Sequence, residues 1–283
     1  MKILITGSNG YLGASFINQY KDKFEVETFS LINQELENIN FDDIKVVLHY
    51  AALVHQKQEH SYEKYHKINV DYPVKLAKFA KQNGVKQFVF ISTISVYGED
   101  EKKLDENTCC NPVTFYGKSK LEAEKQLLKL NDKNFKVSII RLPMVYGKNA
   151  PGNIDSLINL IKKFSIIPFG GITNKRTFIS IQNVCYIINE IIIQQKSGIF
   201  LASDNEPLST SKLCELIAKN LEKKVYLVKI PFFESLLKIV KPSFHKRLYG
   251  SLEIDNSITK EKLNLKNPYS VEEGIKLMIK GKD

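Results

Sequence analysis

Lys2-Ile3-Leu4-Ile5-Thr6 is apolar with little alternation, as a strand covered on both faces is, and the chain turns at once into a helical pattern from about Tyr11 to Tyr20. Further strands are predicted at Glu25 to Phe29, Val46 to Ala52, Gln87 to Ile91 and Val137 to Ile140. Between them, Tyr62 to Asn83 reads as a helix stopped by Gly84, and Pro112 and Thr114 open another that carries Tyr116. Strands alternating with helices in this way predict an α/β fold with a doubly wound parallel sheet. After Gly147 the interleaving becomes irregular. The segment Asn153 to Phe164, an extended Lys175 to Ile181, and helices near Asn183 to Gln195 and Thr210 to Leu221 predict a smaller unit closing over the sheet edge.

The turn after the first strand, Gly7-Ser8-Asn9-Gly10-Tyr11-Leu12-Gly13, gives that order a chemical meaning. Strand, glycine turn and helix form a cradle for a nucleotide diphosphate, because glycines let backbone approach the phosphates and the helix N-terminus offers free N–H groups. The expected division is therefore a Rossmann dinucleotide-binding unit over 1–147 and a mainly substrate-binding, capping unit over 148–283, with some of its segments returning to the sheet. After the second strand, the place of a ribose-binding acid or of a base for a 2′-phosphate holds Ser30-Leu31-Ile32-Asn33, so NAD and NADP both stay open. The short linker to Lys45 predicts a trimmed edge. Small Ala51-Ala52 would let backbone lie against a flat ligand. Asn69 fits a brace for neighbouring backbone or, equally, a surface position. Ser92 and Thr93 end a strand where open parallel sheets keep their ligands.

Tyr116 and Lys120 stand four residues apart at the start of a helix, on one face. An ammonium nearby, joined by a positively charged nicotinamide, would favour the phenolate, and such a tyrosine exchanges a proton with an alcohol or carbonyl. Taken alone, the pair fits a solvated helix face as well.

With 283 residues and 43% hydrophobic content, the chain can bury a substantial core. No apolar run reaches the ~20 residues of a membrane helix, and the N-terminus does not read as a signal peptide, so a cytoplasmic protein without stable membrane insertion is expected. The net charge of +10 is spread along the whole chain, which reads as a lysine-rich surface rather than a nucleic-acid site. Four cysteines without Cys-x-x-Cys spacing suggest reduced thiols, and His49, His55, His60 and His66 lack metal-ligand spacing. Arg141, Arg176 and Arg247 are the only arginines, so each is a candidate for work that needs a planar fork. The basic apolar stretch Pro231 to Lys241 reads as an amphipathic helix packed on its own domain, with a membrane surface as the alternative.

Five motifs in order resemble the extended short-chain dehydrogenase/reductases of the NAD-dependent epimerase/dehydratase family, whose members act on nucleotide sugars. They are Thr6-Gly7-x-x-Gly10-x-x-Gly13, Ser92-Thr93-x-x-Val96-Tyr97-Gly98, Tyr116-x-x-x-Lys120, Arg141-x-Pro143-x-Val145-Tyr146-Gly147 and Arg176-Thr177-Phe178-Ile179. The resemblance runs over essentially all of the chain. It implies that Tyr116 is the acid/base, that Thr93 bonds the reacting sugar oxygen, and that Lys120 holds the nicotinamide ribose and lowers the tyrosine pKa. It implies a cofactor site of Gly7, Gly10, Tyr11, Leu12, Gly13, Ala51, Ala52, Asn69, Ser92, Tyr116 and Lys120. Arg176 would pair with the substrate diphosphate, and Asn153 would supply an amide contact that Met144 cannot. The later part is similar to bacterial surface-polysaccharide enzymes that handle UDP-N-acetylamino sugars. Ile94-Ser95 stand where dehydratases of the family carry an acidic pair, so water elimination is not expected.

These features lead to hydride transfer at a sugar carbon, expected at C4, of a UDP-linked sugar with NAD or NADP, as 4-keto reduction or 4-epimerisation. The absence of a ribose-binding acid leans slightly towards the reductase. A homodimer is compatible with the sequence. The alternative is a non-catalytic member of the same fold that binds nucleotide or RNA; loss of Tyr116, Lys120 or Thr93 would have marked it, and all three are present.

Overall fold

The computed structural model describes residues 1–30, 35–54, 60–99, 101–204 and 206–281, and for Asn153 the backbone alone. Its centre is a six-stranded parallel sheet of β1 (Lys2–Thr6), β2 (Glu25–Phe29), β3 (Ile44–His49), β4 (Gln87–Thr93), β5 (Lys136–Leu142) and β6 (Gly198–Leu201). The spatial order is β6-β5-β4-β3-β1-β2. The trimmed edge expected from the short linker is present: β2 is the edge strand, and the described residues between it and β3 form only a 3₁₀ turn, Leu36–Asn38.

Alternate residues of the inner strands feed two different cores, which is why those strands read as largely apolar runs. Ile3, Ile5, Leu48, Val89 and Ile140 pack beneath α1 (Tyr11–Tyr20) and the helix Ile181–Ile193, through Phe16, Ile187 and Ile191. On the opposite face, Leu4, Val47, Phe88, Phe90 and Val137 meet Leu76 and Ala77 of the helix Tyr72–Gln82, and Ala123 and Leu127 of α2, defined here as Phe115–Leu128. A third apolar cluster, with Ile158, Ile161, Phe169, Phe178, Leu213 and Ile275, gathers around the helices Asn153–Lys163, Thr210–Asn220 and Val271–Lys280.

A buried polar node ties that cluster to the sheet. Asp204 accepts from the Tyr146 hydroxyl at 2.7 Å, from the Asn183 amide at 2.7 Å and from the Ser180 N–H at 3.0 Å. Burial nevertheless pushes its carboxyl up to about 6, against the pull of these three donors.

Three expectations change. β3 stops at His49 rather than Ala52, because the Tyr50 N–H makes a last bond to Thr6 and the chain then turns towards Leu53, which Asn69 holds. The helix expected from Tyr62 to Asn83 is broken by a π-helical turn, Lys67–Asp71, between Tyr62–His66 and Tyr72–Gln82. Within Pro231 to Lys241, the helix Phe233–Val240 contains no buried residue. Phe233 and Leu237 pack half-buried on the third cluster, as expected of a helix packed on its own domain, but Phe232, Leu236, Ile239 and Val240 face outwards, so the packing leaves one apolar side uncovered.

Candidate active site

The β1–α1 turn is built for close backbone approach. Gly7 has φ +75°, and a Cβ there would lie 2.6 Å from the Ala51 amide nitrogen. A Cβ on Gly13 would lie 2.5 Å from the Gly7 carbonyl oxygen. The turn thus lies directly on the Ala51 backbone. Helix α1 starts after Gly10 with no side-chain cap and no acidic residue in its first turn, so its first N–H groups are available to an anion. Tyr11 follows with a buried hydroxyl that has no hydrogen-bond partner among the described residues, and Leu12 is half-buried in the same turn.

Asn69 sits on the π-helical turn, a deformation frequent at functional sites. Its side chain accepts from Leu53 N–H at 2.8 Å, donates to the Leu53 carbonyl at 3.0 Å and donates to the Ser119 hydroxyl at 3.0 Å. It therefore braces the segment after Ala51-Ala52 and ties it to α2 between Tyr116 and Lys120. The surface alternative for Asn69 does not hold, since the residue is fully buried.

Thr114 caps α2 by accepting from Gly117 N–H at 3.0 Å, which fixes the turn that carries Tyr116. A Cβ on Gly117 would lie 2.6 Å from the Ser95 carbonyl oxygen, so the absence of a side chain lets α2 press on the 3₁₀ turn Ile94–Tyr97. That approach brings Tyr116 to Thr93. The Thr93 hydroxyl accepts from Ser95 N–H and donates to the Ser95 hydroxyl, each at 3.2 Å, and its nearness to the Tyr116 phenol favours the ionised form.

The electrostatics depart from expectation. The phenol of Tyr116 is pushed up to about 12 by burial, which outweighs the Thr93 hydrogen bond. Lys120 does not offset this, because its ammonium is directed elsewhere: Nζ donates to the Ile91 carbonyl at 2.7 Å and lies 4.1 Å from the centre of the Phe90 ring. Burial lowers Lys120 itself to about 7, with Glu124 pulling it up.

Ser92 is placed differently from its expected cofactor role. Its hydroxyl is buried and donates to Glu124, which also binds Arg141 in two-pronged fashion, with Nη2 2.6 Å from Oε2. Arg141 stacks 4.7 Å over the Tyr97 ring. Glu124 was missed in the sequence, although it lies one helical turn beyond Lys120. An arginine in an arginine-poor chain was the available sign that a carboxylate would be found opposite it.

Arg176 lies apart from this group, in a cavity of about 340 Å³ whose walls are mostly apolar and include Met144, Leu157, Phe178 and Phe244. Arg247, the third arginine, shares the cavity, and burial together with the Arg247 charge lowers the Arg176 pKa. Arg176 Nη1 donates to the carbonyls of Lys246 and Arg247, at 3.3 and 3.0 Å. Asn153 begins the helix that walls this cavity, and its side chain lies outside the described residues. Leu31, Ile32 and Asn33 of the expected ribose segment, and His55, also lie outside them. His49 is buried, with Nδ1 2.7 Å from the Thr6 hydroxyl, and burial lowers it to about 3, so it is a neutral core residue.

Residues 3–200 match the family described as NAD dependent epimerase/dehydratase. A curated UDP-glucose 4-epimerase of Vibrio cholerae is 34% identical, over 97% of this chain and 93% of its own. The N-acetyl-α-D-glucosaminyl-diphospho-ditrans,octacis-undecaprenol 4-epimerase of Escherichia coli O157:H7 is 27% identical over 59% of this chain and 52% of its own. Among solved structures, a UDP-glucuronic acid 4-epimerase from Bacillus cereus in complex with NAD shares the fold, with a TM-score of 0.77 at 20% identity over 99% of this chain and 98% of its own.

Proposed function

Because this chain belongs to the NAD-dependent epimerase/dehydratase family of enzymes, with NAD or NADP as cofactor, we propose that it is a 4-epimerase of a UDP-N-acetylamino sugar with Tyr116 as its acid/base. The observation that carries the reading is the contact of Tyr116 with Thr93 at the C-terminal edge of the sheet, beside Lys120. The residues present fit the cofactor. Gly7, Gly10 and Gly13, with the bare N-terminus of α1, would hold the pyrophosphate, and Ala51, Ala52 and the segment braced by Asn69 would flank the dinucleotide. The nicotinamide, when bound, supplies hydride transfer at the sugar carbon and a positive charge that favours the Tyr116 phenolate.

Thr93 orients the C4 oxygen by hydrogen bonding, and Tyr116 takes its proton in one direction and returns it in the other. Burial keeps Tyr116 protonated in the ligand-free chain, so it becomes a base only with the site filled. Lys120 would hold the cofactor ribose by exchanging its bond to the Ile91 carbonyl. Arg176, with Arg247 beside it, binds the substrate diphosphate through planar N–H donors. Ile94 and Ser95 supply neither acid nor base after Thr93, so dehydration does not compete. The trio Thr93, Tyr116 and Lys120 also argues against a non-catalytic nucleotide- or RNA-binding role.

Epimerisation is favoured over net reduction because both curated relatives described above are named 4-epimerases. A second reading keeps the chemistry and changes the carrier: the apolar walls around Arg176 suit a sugar diphosphate on a polyprenyl chain, the kind of substrate in the name of the Escherichia coli relative. Incubation with UDP-N-acetylglucosamine and NAD, without added reductant, tests the proposal. Appearance of UDP-N-acetylgalactosamine supports it; strict consumption of reduced cofactor on a 4-keto sugar assigns a reductase, and conversion of only the polyprenyl-linked sugar assigns the second carrier.

A further inference from the structure

The helix Phe233–Val240 and the residue before it present an apolar stripe to solvent. Phe232 is 87% exposed, Leu236 58%, Ile239 80% and Val240 62%, and their places at i, i+4, i+7 and i+8 keep them on one side. The adjoining side rests on the protein through Phe233 and Leu237. Single exposed apolar residues are ordinary, but a continuous stripe of four marks a contact surface.

The charges around it define what it contacts. Residues 229–247 contain Lys229, Lys238, Lys241, Lys246 and Arg247 against one carboxylate, Glu234, which lies 3.4 Å from His245. Glu99 faces the same region and pairs with Lys246 at 2.6 Å, which leaves a cationic rim of Lys229, Lys238 and Lys241 around the stripe. A second copy docking by a twofold would bring this rim against its own like charges, since an isologous contact uses the same patch twice. An anionic bilayer surface complements both parts: the apolar residues enter the headgroup boundary and the lysines meet the phosphates.

We infer that the face formed by Phe232, Leu236, Ile239 and Val240, rimmed by Lys229, Lys238 and Lys241, docks this protein peripherally on an anionic phospholipid bilayer. The helix is too short to span, and no helix among the described residues is long and apolar enough to cross a membrane. Docking does not depend on which carrier the sugar uses. Phe244, on the following helix, is 42% exposed and also walls the Arg176 cavity, so the docked face adjoins the candidate substrate site.

The test is co-sedimentation of the full chain with vesicles of phosphatidylcholine alone and of phosphatidylcholine mixed with phosphatidylglycerol, at low and high salt. The expected result is binding to the anionic vesicles, weakened by salt, and lowered at least about tenfold by Leu236→Ser/Ile239→Ser and by Lys238→Glu/Lys241→Glu. Unchanged melting temperature and NAD binding in both variants would show that the fold is intact. Wild-type protein that stays in the supernatant with anionic vesicles overturns the inference. So does a wild-type dimer that the Leu236→Ser/Ile239→Ser change converts to monomer without altering vesicle binding, because the stripe would then belong to a second copy.

Discussion

The Lys120 ammonium nitrogen lies 2.7 Å from the Ile91 carbonyl oxygen, inside the protein rather than at its surface. Burial lowers this lysine to about 7 from an ordinary 10.5, so the folded chain gives up a proton that the unfolded chain keeps. Between those two values the unfolded state binds more protons, and stability rises with pH. Asp204 acts in the other sense below that window: its carboxyl is raised to about 6 from 3.8, so its contribution is lost as pH climbs through that interval. The ligand-free melting temperature should therefore fall towards pH 6 and recover above pH 7. Lys120→Met should remove the recovery and leave the acid-side fall; thermal melts across pH check both.

Glu124 holds Arg141 in a buried ion pair and also accepts from Ser92. Glu124→Gln leaves the guanidinium with no countercharge in the interior and should cost about 3–5 kcal/mol in denaturant unfolding, the usual cost of breaking one side of such a pair. Ser92→Ala, which leaves the pair in place, should cost about 1.5–3 kcal/mol, the usual range for a hydrogen bond to a charged group.

The glycine turn can be tested at the position where the backbone is tightest. Gly13→Ala should weaken NAD binding by well over tenfold, because its Cβ would meet the Gly7 carbonyl and open the cradle. Gly10→Ala, with φ −75° and its nearest contact at 3.2 Å, should change binding far less. Isothermal titration with NAD and NADP separates the two variants and also identifies the preferred cofactor.

Much of this could be read along the chain because it depends on local pattern. The β1 run, the Gly7 turn and the Tyr116–Lys120 spacing need only neighbours in sequence to be recognised, and the trimmed sheet edge followed from linker length. What escaped depends on distant partners. The π turn that aims Asn69 at Leu53 and Ser119 has no local signature in an otherwise helical pattern. Lys120 was expected to serve Tyr116, yet the carbonyl and ring that receive it belong to β4, and neither is visible from α2 alone. The outward stripe near Leu236 has the same periodicity as a self-packed helix, and only the position of the third core decides between them.

Arg176→Lys keeps the charge in the cavity and removes the fork. Under the proposed role in diphosphate binding, KM for the sugar substrate should rise at least about tenfold while the NAD Kd stays level. A change confined to NAD affinity would place this arginine in the dinucleotide site instead.

Under the proposed mechanism Tyr116 carries the proton at the sugar oxygen. The most direct measurement is the turnover of Tyr116→Phe on a verified sugar substrate, with NAD binding and melting temperature measured on the same preparation. Because the change removes one oxygen from a ring held by α2, both controls should stay close to wild type, and kcat should fall by roughly 10²–10⁴-fold. Turnover within a few-fold of wild type would contradict the claim and would require another group to move the proton.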